Sequence, residues 1–176
     1  MQYMMKSGNL YKDKDMTILA KTKSVLVGPI KKIYNSAGNL ILEVNIRYLD
    51  EAKAHTGDVR NREYTLTDYK GNLIASAFPE YADGDDPNVV GWPICRMPKV
   101  DHANINVSGN EYTLTMNNSK KYTMKNRNNV VVLSILHNGI MGGWLLEDSH
   151  GFAPEILCGI FTFCRYMEQE NELLVI

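Results

Sequence analysis

Nine consecutive residues near the C-terminus, Ile156-Leu-Cys-Gly-Ile-Phe-Thr-Phe-Cys164, carry no charge, and Arg165 and Glu168 close the run. Pro154 and Glu155 just ahead of it suit the first turn of a helix. Proline lacks an N–H that would be orphaned there, and the carboxylate favours the positive end of the helix dipole. Wound as a helix, the run is apolar on every side, which requires protein all around it. It falls well short of the ~20 residues that span a bilayer, so a core helix is expected. The size of the chain permits one to be enclosed. A helix of about 14 residues is ~21 Å long, and a globule of this length is ~40 Å across, from a radius of gyration of ~16 Å.

What could enclose it is read from the preceding residues, most of which alternate as strands. Leu40, Leu42, Val44 and Ile46 alternate with Ile41, Glu43 and Asn45, the period of a strand with one buried face. Asn35-Ser36-Ala37-Gly38 joins it to Ile30–Tyr34 as a hairpin. A second hairpin runs Glu63–Thr67, Asp68-Tyr-Lys-Gly71, Asn72–Ala77, and a third runs Glu111–Thr115, Asn117-Asn118-Ser119, Lys121–Lys125. Val130–Leu136, a turn at Asn138-Gly139 and Gly143–Glu147 form a fourth. Gly-Asn-Leu-Ile occurs at 38–41 and 71–74, and Glu-Tyr-Thr-Leu-Thr at 63–67 and 111–115; such echoes point to a reused hairpin unit. Between 79 and 104, around Pro79, Asp83-Gly-Asp-Asp-Pro87 and Trp92, the pattern lapses into the longest irregular passage, and long loops are often functional.

The expected architecture is therefore mainly β: a closed antiparallel barrel of hairpins around one hydrophobic C-terminal helix, in a single domain over 1–176. Lys plus Arg number 19 against 20 Asp plus Glu, a net charge of -1. That balance removes the general electrostatic case for a nucleic-acid partner, and any basic site must be local. The first residues, Met1-Gln2-Tyr3-Met4-Met5-Lys6, lack a signal-peptide pattern, so a cytoplasmic address without a transmembrane segment is the expectation. Cys95, Cys158 and Cys164 have no CxxC spacing, which suggests reduced thiols and neither a disulfide framework nor a zinc knuckle. A Cys158–Cys164 bridge would require the helix to break, because six residues rise ~9 Å and a disulfide tolerates ~7 Å between Cα atoms.

Three segments carry a resemblance: Ile33-Tyr-Asn-Ser-Ala-Gly-Asn-Leu-Ile-Leu-Glu-Val44, Tyr64-Thr-Leu-Thr-Asp-Tyr-Lys-Gly-Asn-Leu-Ile74 and Phe152-Ala-Pro-Glu-Ile-Leu-Cys-Gly-Ile160. The first two resemble the strand, Asp/Asn-x-x-Gly, strand hairpins of LURP-one-related proteins, and the third resembles their central helix. The chain is thus similar to the tubby C-terminal-like superfamily, which also includes phospholipid scramblases. The resemblance implies about twelve strands around the helix and, from tubby domains, recognition of phosphoinositide head groups through basic residues. Asn35 stands where Asp is commoner, 79–104 matches no part of the pattern, and no phosphate-binding residue of the family maps onto a position here.

Local basic clusters are Lys31 with Lys32, Lys120 with Lys121, and Lys125 with Arg127. Four such residues on one face would attract an anionic membrane by about 4 kcal/mol, roughly millimolar affinity, so a specific pocket is needed as well. Lysines on hairpins also serve to protect strand edges or solvate a surface. Asp83, Asp85 and Asp86 lack EF-hand spacing, and no metal or cofactor is expected. Cys95 with Asp101 and His102 is the one nucleophile, base and orienter set close in sequence, the basis of a hydrolase-like alternative. His137 and His150 flank the Trp144 strand and could approach each other, although two histidines without a third ligand are more simply turn residues. Gly139-Ile-Met-Gly-Gly143 lacks the lysine of a phosphate-binding loop. A non-enzymatic binding domain for anionic phospholipid is the leading expectation. The alternatives are the Cys95 enzyme and a protein-interaction module using 79–104.

Overall fold

The computed structural model describes residues 1–12, 16–85 and 99–172. Its strands are β1 (Gln2–Lys6), β2 (Asn9–Lys12), β3 (Ile18–Ser24), β4 (Lys31–Asn35), β5 (Leu40–Tyr48) and β6 (Arg62–Asp68). They continue as β7 (Leu73–Tyr81), β8 (Val100–Val107), β9 (Asn110–Asn118), β10 (Lys121–Asn126), β11 (Val131–His137) and β12 (Trp144–Asp148). The one α-helix among the described residues, α1 (Pro154–Glu170), follows. Each strand pairs antiparallel with its sequence neighbours, and β1 pairs with β12 to close the barrel. Closure removes the free edges on which a sheet would aggregate.

Up-and-down connectivity sends alternate loops to opposite rims. At the entry rim α1 begins. At the exit rim α1 ends, and there lie the loops β1–β2, β3–β4, β5–β6, β7–β8, β9–β10 and β11–β12. Three entry-rim hairpins share one device. Asn35 accepts from the Asn39 N–H, Asp68 from those of Lys70 and Asn72, and Asn126 from those of Asn128 and Val130. Each side chain thus replaces part of the ladder that the turn interrupts, and each hairpin carries a register shift beside it, as a bulged four-residue turn requires. The Asn72 side chain, hydrogen-bonded to Asp68, leads the interactions that hold the Asp68 carboxyl below its ordinary range.

Alternation delivers one face of each strand to the interior. In both Glu-Tyr-Thr-Leu-Thr copies the Tyr and Leu are buried, Tyr64 with Leu66 and Tyr112 with Leu114. The helix fills the space they leave. Leu157, Cys158, Ile160, Phe163, Cys164 and Met167 are all fully buried, and with buried Thr162 and Tyr166 they take up most of the circumference of α1. The helix contacts β3, β4 and β5 on one side and β8 and β9 on the other. Its close fit is set at Gly159, where an added Cβ would stand 2.7 Å and 2.9 Å from the two terminal carbons of Leu66.

The last turns of α1 are pinned by polar groups at the exit rim. Glu170 binds Arg62 and accepts from the Tyr64 hydroxyl at 3.2 Å. Glu168 binds Arg165 and accepts from the Tyr122 hydroxyl at 3.3 Å. Tyr166 donates to the Pro29 carbonyl, and Asn171 exchanges hydrogen bonds with the Val100 backbone at 2.8 and 2.7 Å. Burial and the neighbouring Glu170 push the Tyr64 hydroxyl well above its ordinary pKa, so it remains a donor to that carboxylate.

Four expectations change. The helix has 17 residues, because its polar last turn stays helical through the rim contacts. The irregular passage is shorter than 79–104, since β7 continues to Tyr81 and β8 begins at Val100, with Pro79 opposite Ala103. His137 and His150 do not meet: the first closes β11 at the exit rim and the second follows β12 at the entry rim. Residues 1–24, which carried no strand reading, supply β1, β2 and β3. No helix among the described residues is long and apolar enough to cross a membrane.

Candidate functional site: the basic mouth at the exit rim

At the exit rim, beside the end of α1, a pocket of about 580 Å³ opens between the β1–β2, β9–β10 and β11–β12 loops. Its aromatic floor is Trp144 at the start of β12. The indole lies 5.5 Å from the Phe161 ring and 5.7 Å from Tyr122. The Arg165 guanidinium sits 5.6 Å over the same indole, a cation–π arrangement that fixes a flexible side chain at the pocket wall. Three cations, Lys6, Lys120 and Arg165, line the pocket against one carboxylate, Glu168. That carboxylate is engaged by Arg165 and Tyr122.

His137 completes it. Its ring stands edge-on to Trp144 at 5.1 Å, and its buried Nδ1 has no hydrogen-bond partner among the described residues. A buried polar atom left unpaired costs about 1 to 3 kcal/mol, so His137 shapes the pocket wall at some cost in stability while its Nδ1 stays shielded behind that wall. Two glycines let the walls close around the site. At Gly8 a Cβ would stand 2.6 Å from the Thr22 carbonyl oxygen, and at Gly143 2.9 Å from that of Met5. Ser7 and Gly8 both have positive φ, 50° and 76°, as the two-residue turn between paired Lys6 and Asn9 demands.

The basic clusters distribute around this mouth unequally. Lys120 lines it and Lys121 follows at the start of β10. Lys31 and Lys32 stand at the same rim, but on β4, six strands from β10 around a ring of twelve. Lys31 donates to the Ser24 hydroxyl at 2.7 Å, and Lys32 lies in register between Lys23 and Glu43. Lys125 and Arg127 belong to the entry rim, at the other end of β10. Arg127 is held by Glu111 at 2.9 Å in an outer-wall cleft of about 540 Å³ that is rich in Asn side chains. The six positions therefore do not form one patch.

Cys95 and Asp86 lie outside the described residues, as do Trp92 and half of the 79–104 passage. His102 Nδ1 is 2.6 Å from Asp101, so the base and orienter meet. Asp85 is buried and accepts from the Lys99 N–H at 3.2 Å. His150 contacts the Tyr112 hydroxyl at 3.3 Å and packs on Phe152 at 4.4 Å. Among the described residues no cluster of His, Cys, Asp and Glu is placed to hold a metal ion. Burial pushes the Cys158 thiol up to about 12 and raises that of Cys164, so neither is a ready nucleophile.

Sequence reasoning missed Lys6, Ser7, Gly8, Trp144 and Arg165 as partners in one site, and it treated His137 as a turn residue. The available signal was the Lys6-Ser7-Gly8-Asn9 turn, but its placement beside the end of α1 depends on barrel closure through β1 and β12. No family model, curated protein or solved structure matches the chain.

Proposed function

We propose that the chain is a non-enzymatic binding domain of the tubby-like barrel type, and that its basic mouth takes the phosphate-bearing head group of an anionic phospholipid. One observation carries the reading. Lys6, Lys120 and Arg165 line one pocket, and together they offer ammonium and guanidinium donors to a phosphate oxygen. Membrane attraction at about 1 kcal/mol per lysine or arginine would give at most ~3 kcal/mol from these cations, and Glu168, paired with Arg165, reduces it. The pocket provides the short-range contacts that such diffuse attraction lacks. Trp144 gives a flat apolar floor for the glycerol or ring portion of the group.

Co-sedimentation with vesicles tests it. Binding to mixed phosphatidylcholine/phosphatidylserine vesicles is expected to exceed binding to pure phosphatidylcholine at least about tenfold and to weaken with added salt. Equal binding to both, or to neither, would remove the head-group reading.

A further inference from the structure

We infer that the exit rim docks end-on to a lipid bilayer, with Leu26 and Val27 of the β3–β4 loop and Ile140 of the β11–β12 loop entering the hydrocarbon boundary on either side of the basic mouth. This rests on the head-group reading of that mouth and adds to it an orientation and an apolar contribution.

Single exposed aliphatic residues are ordinary on protein surfaces. These three differ in degree and in placement. Leu26 is 103%, Ile140 106% and Val27 81% exposed, the highest values among the described large hydrophobic side chains. All three project from exit-rim loops. Around the closed ring the β9–β10, β11–β12, β1–β2 and β3–β4 loops follow one another, so the β1–β2 turn with Lys6 stands between the two apolar tips.

The loops on this arc of the rim carry positive charge only. Residues 6–9, 24–31, 118–121 and 137–144, which make up these four loops and their flanks, contain Lys6, Lys31, Lys120 and Lys121 and no acid. The other arc of the rim carries mixed charge, with Asp50 and Asp58 paired to Lys53 and Arg60 in the β5–β6 loop and Asp83 and Asp85 after β7. The nearby Glu168 and Glu170 of α1 are tied to Arg165 and Arg62, and aliphatic tips on loops whose only charges are lysines complement an anionic bilayer. There the lysines sit at the head-group level and the aliphatic tips a few ångströms deeper. A protein partner would be better matched by a contiguous patch with aromatic anchors, whereas these tips are separate points on separate loops. A bilayer demands no shape match between them.

The test compares the full chain with a Leu26→Ser, Val27→Ser, Ile140→Ser variant on mixed phosphatidylcholine/phosphatidylserine vesicles. Vesicle partitioning is expected to fall about 100-fold, from the lost transfer of three aliphatic side chains. Binding of soluble glycerol phosphate and the thermal melt are expected to stay as in the parent, because the substituted side chains are exposed. A Leu26→Trp variant should gain a fluorescence component that lipids brominated in the acyl chain quench. Unchanged partitioning of the triple variant, or no quenching of Leu26→Trp while the protein is vesicle-bound, would overturn the insertion and leave the head-group reading standing. Loss of vesicle binding in the triple variant, with a parent that binds neutral and anionic vesicles equally, would keep the insertion and overturn the head-group reading. A parent that binds no vesicles overturns both. Pull-down of a soluble protein through the same tips, with no vesicle binding, would assign the surface to a protein instead.

Discussion

Replacing Gly159 with leucine is expected to destabilise the protein by about 3 kcal/mol or more, a large part of the ~5 to 15 kcal/mol that holds a typical domain together. The reason lies in the fit between α1 and the barrel wall. The first added carbon already stands 2.7 Å and 2.9 Å from the branches of Leu66, and Leu66 is itself fully buried. Three further carbons would have no space unless the helix moved away from β6. Such a movement would strain the ties from Glu170 to Arg62 and Tyr64 and from Asn171 to Val100. Alanine at the same position has an opposing gain of about 1 kcal/mol from helix propensity, so its net effect should be much smaller. Leu66→Ala in the leucine background should recover part of the loss, because the two residues share one volume. Urea midpoints of the three variants measure this. A leucine variant as stable as the parent would mean that α1 does not run against β6.

The second large effect concerns charge at the mouth. Lys6→Glu with Lys120→Glu is expected to reduce binding to anionic vesicles on the order of 100-fold or more. About 1 kcal/mol per lysine is lost, and a similar amount of repulsion is added for each new carboxylate. The control is Lys125→Glu with Arg127→Glu, which changes the net charge equally at the opposite rim. Co-sedimentation should fall less than about threefold for this pair. Equal losses in both variants would show that overall charge, and not the mouth, governs the interaction.

Much of the architecture was legible because its signals are local. Period-two alternation in Leu40–Ile46 and the Asp68-Tyr-Lys-Gly71 turn specify a hairpin without reference to the rest of the chain. The uncharged run Ile156–Cys164 demands enclosure wherever it sits. Three things were hidden. Asn126-Arg-Asn-Asn129 repeats the turn device of Asn35 and Asp68, but Asn129 takes the positive φ of 61° usually given to glycine, so the copy escapes a pattern that requires glycine. The β1–β3 strands are short and interrupted by charges such as Lys6, Lys12, Lys21 and Lys23, so their alternation is weak, and closure against β12 defines them. The mouth combines residues from 5 to 168. No sequence window contains it, and the lysine pairs that did stand out are distributed between two rims.

The central claim is that the mouth at the end of α1 is where the chain binds an anionic head group. The most direct measurement is a two-dimensional 15N–1H NMR titration of the protein with glycerol phosphate. The indole N–H of Trp144 and the amides of Ser7, Gly8 and Lys120 are expected to shift together with one millimolar-range saturation curve, while the entry-rim turns at 36–39 and 127–130 stay still. Shifts confined to the 104–113 and 126–127 outer-wall cleft, or none at any residue of the mouth, would contradict the account.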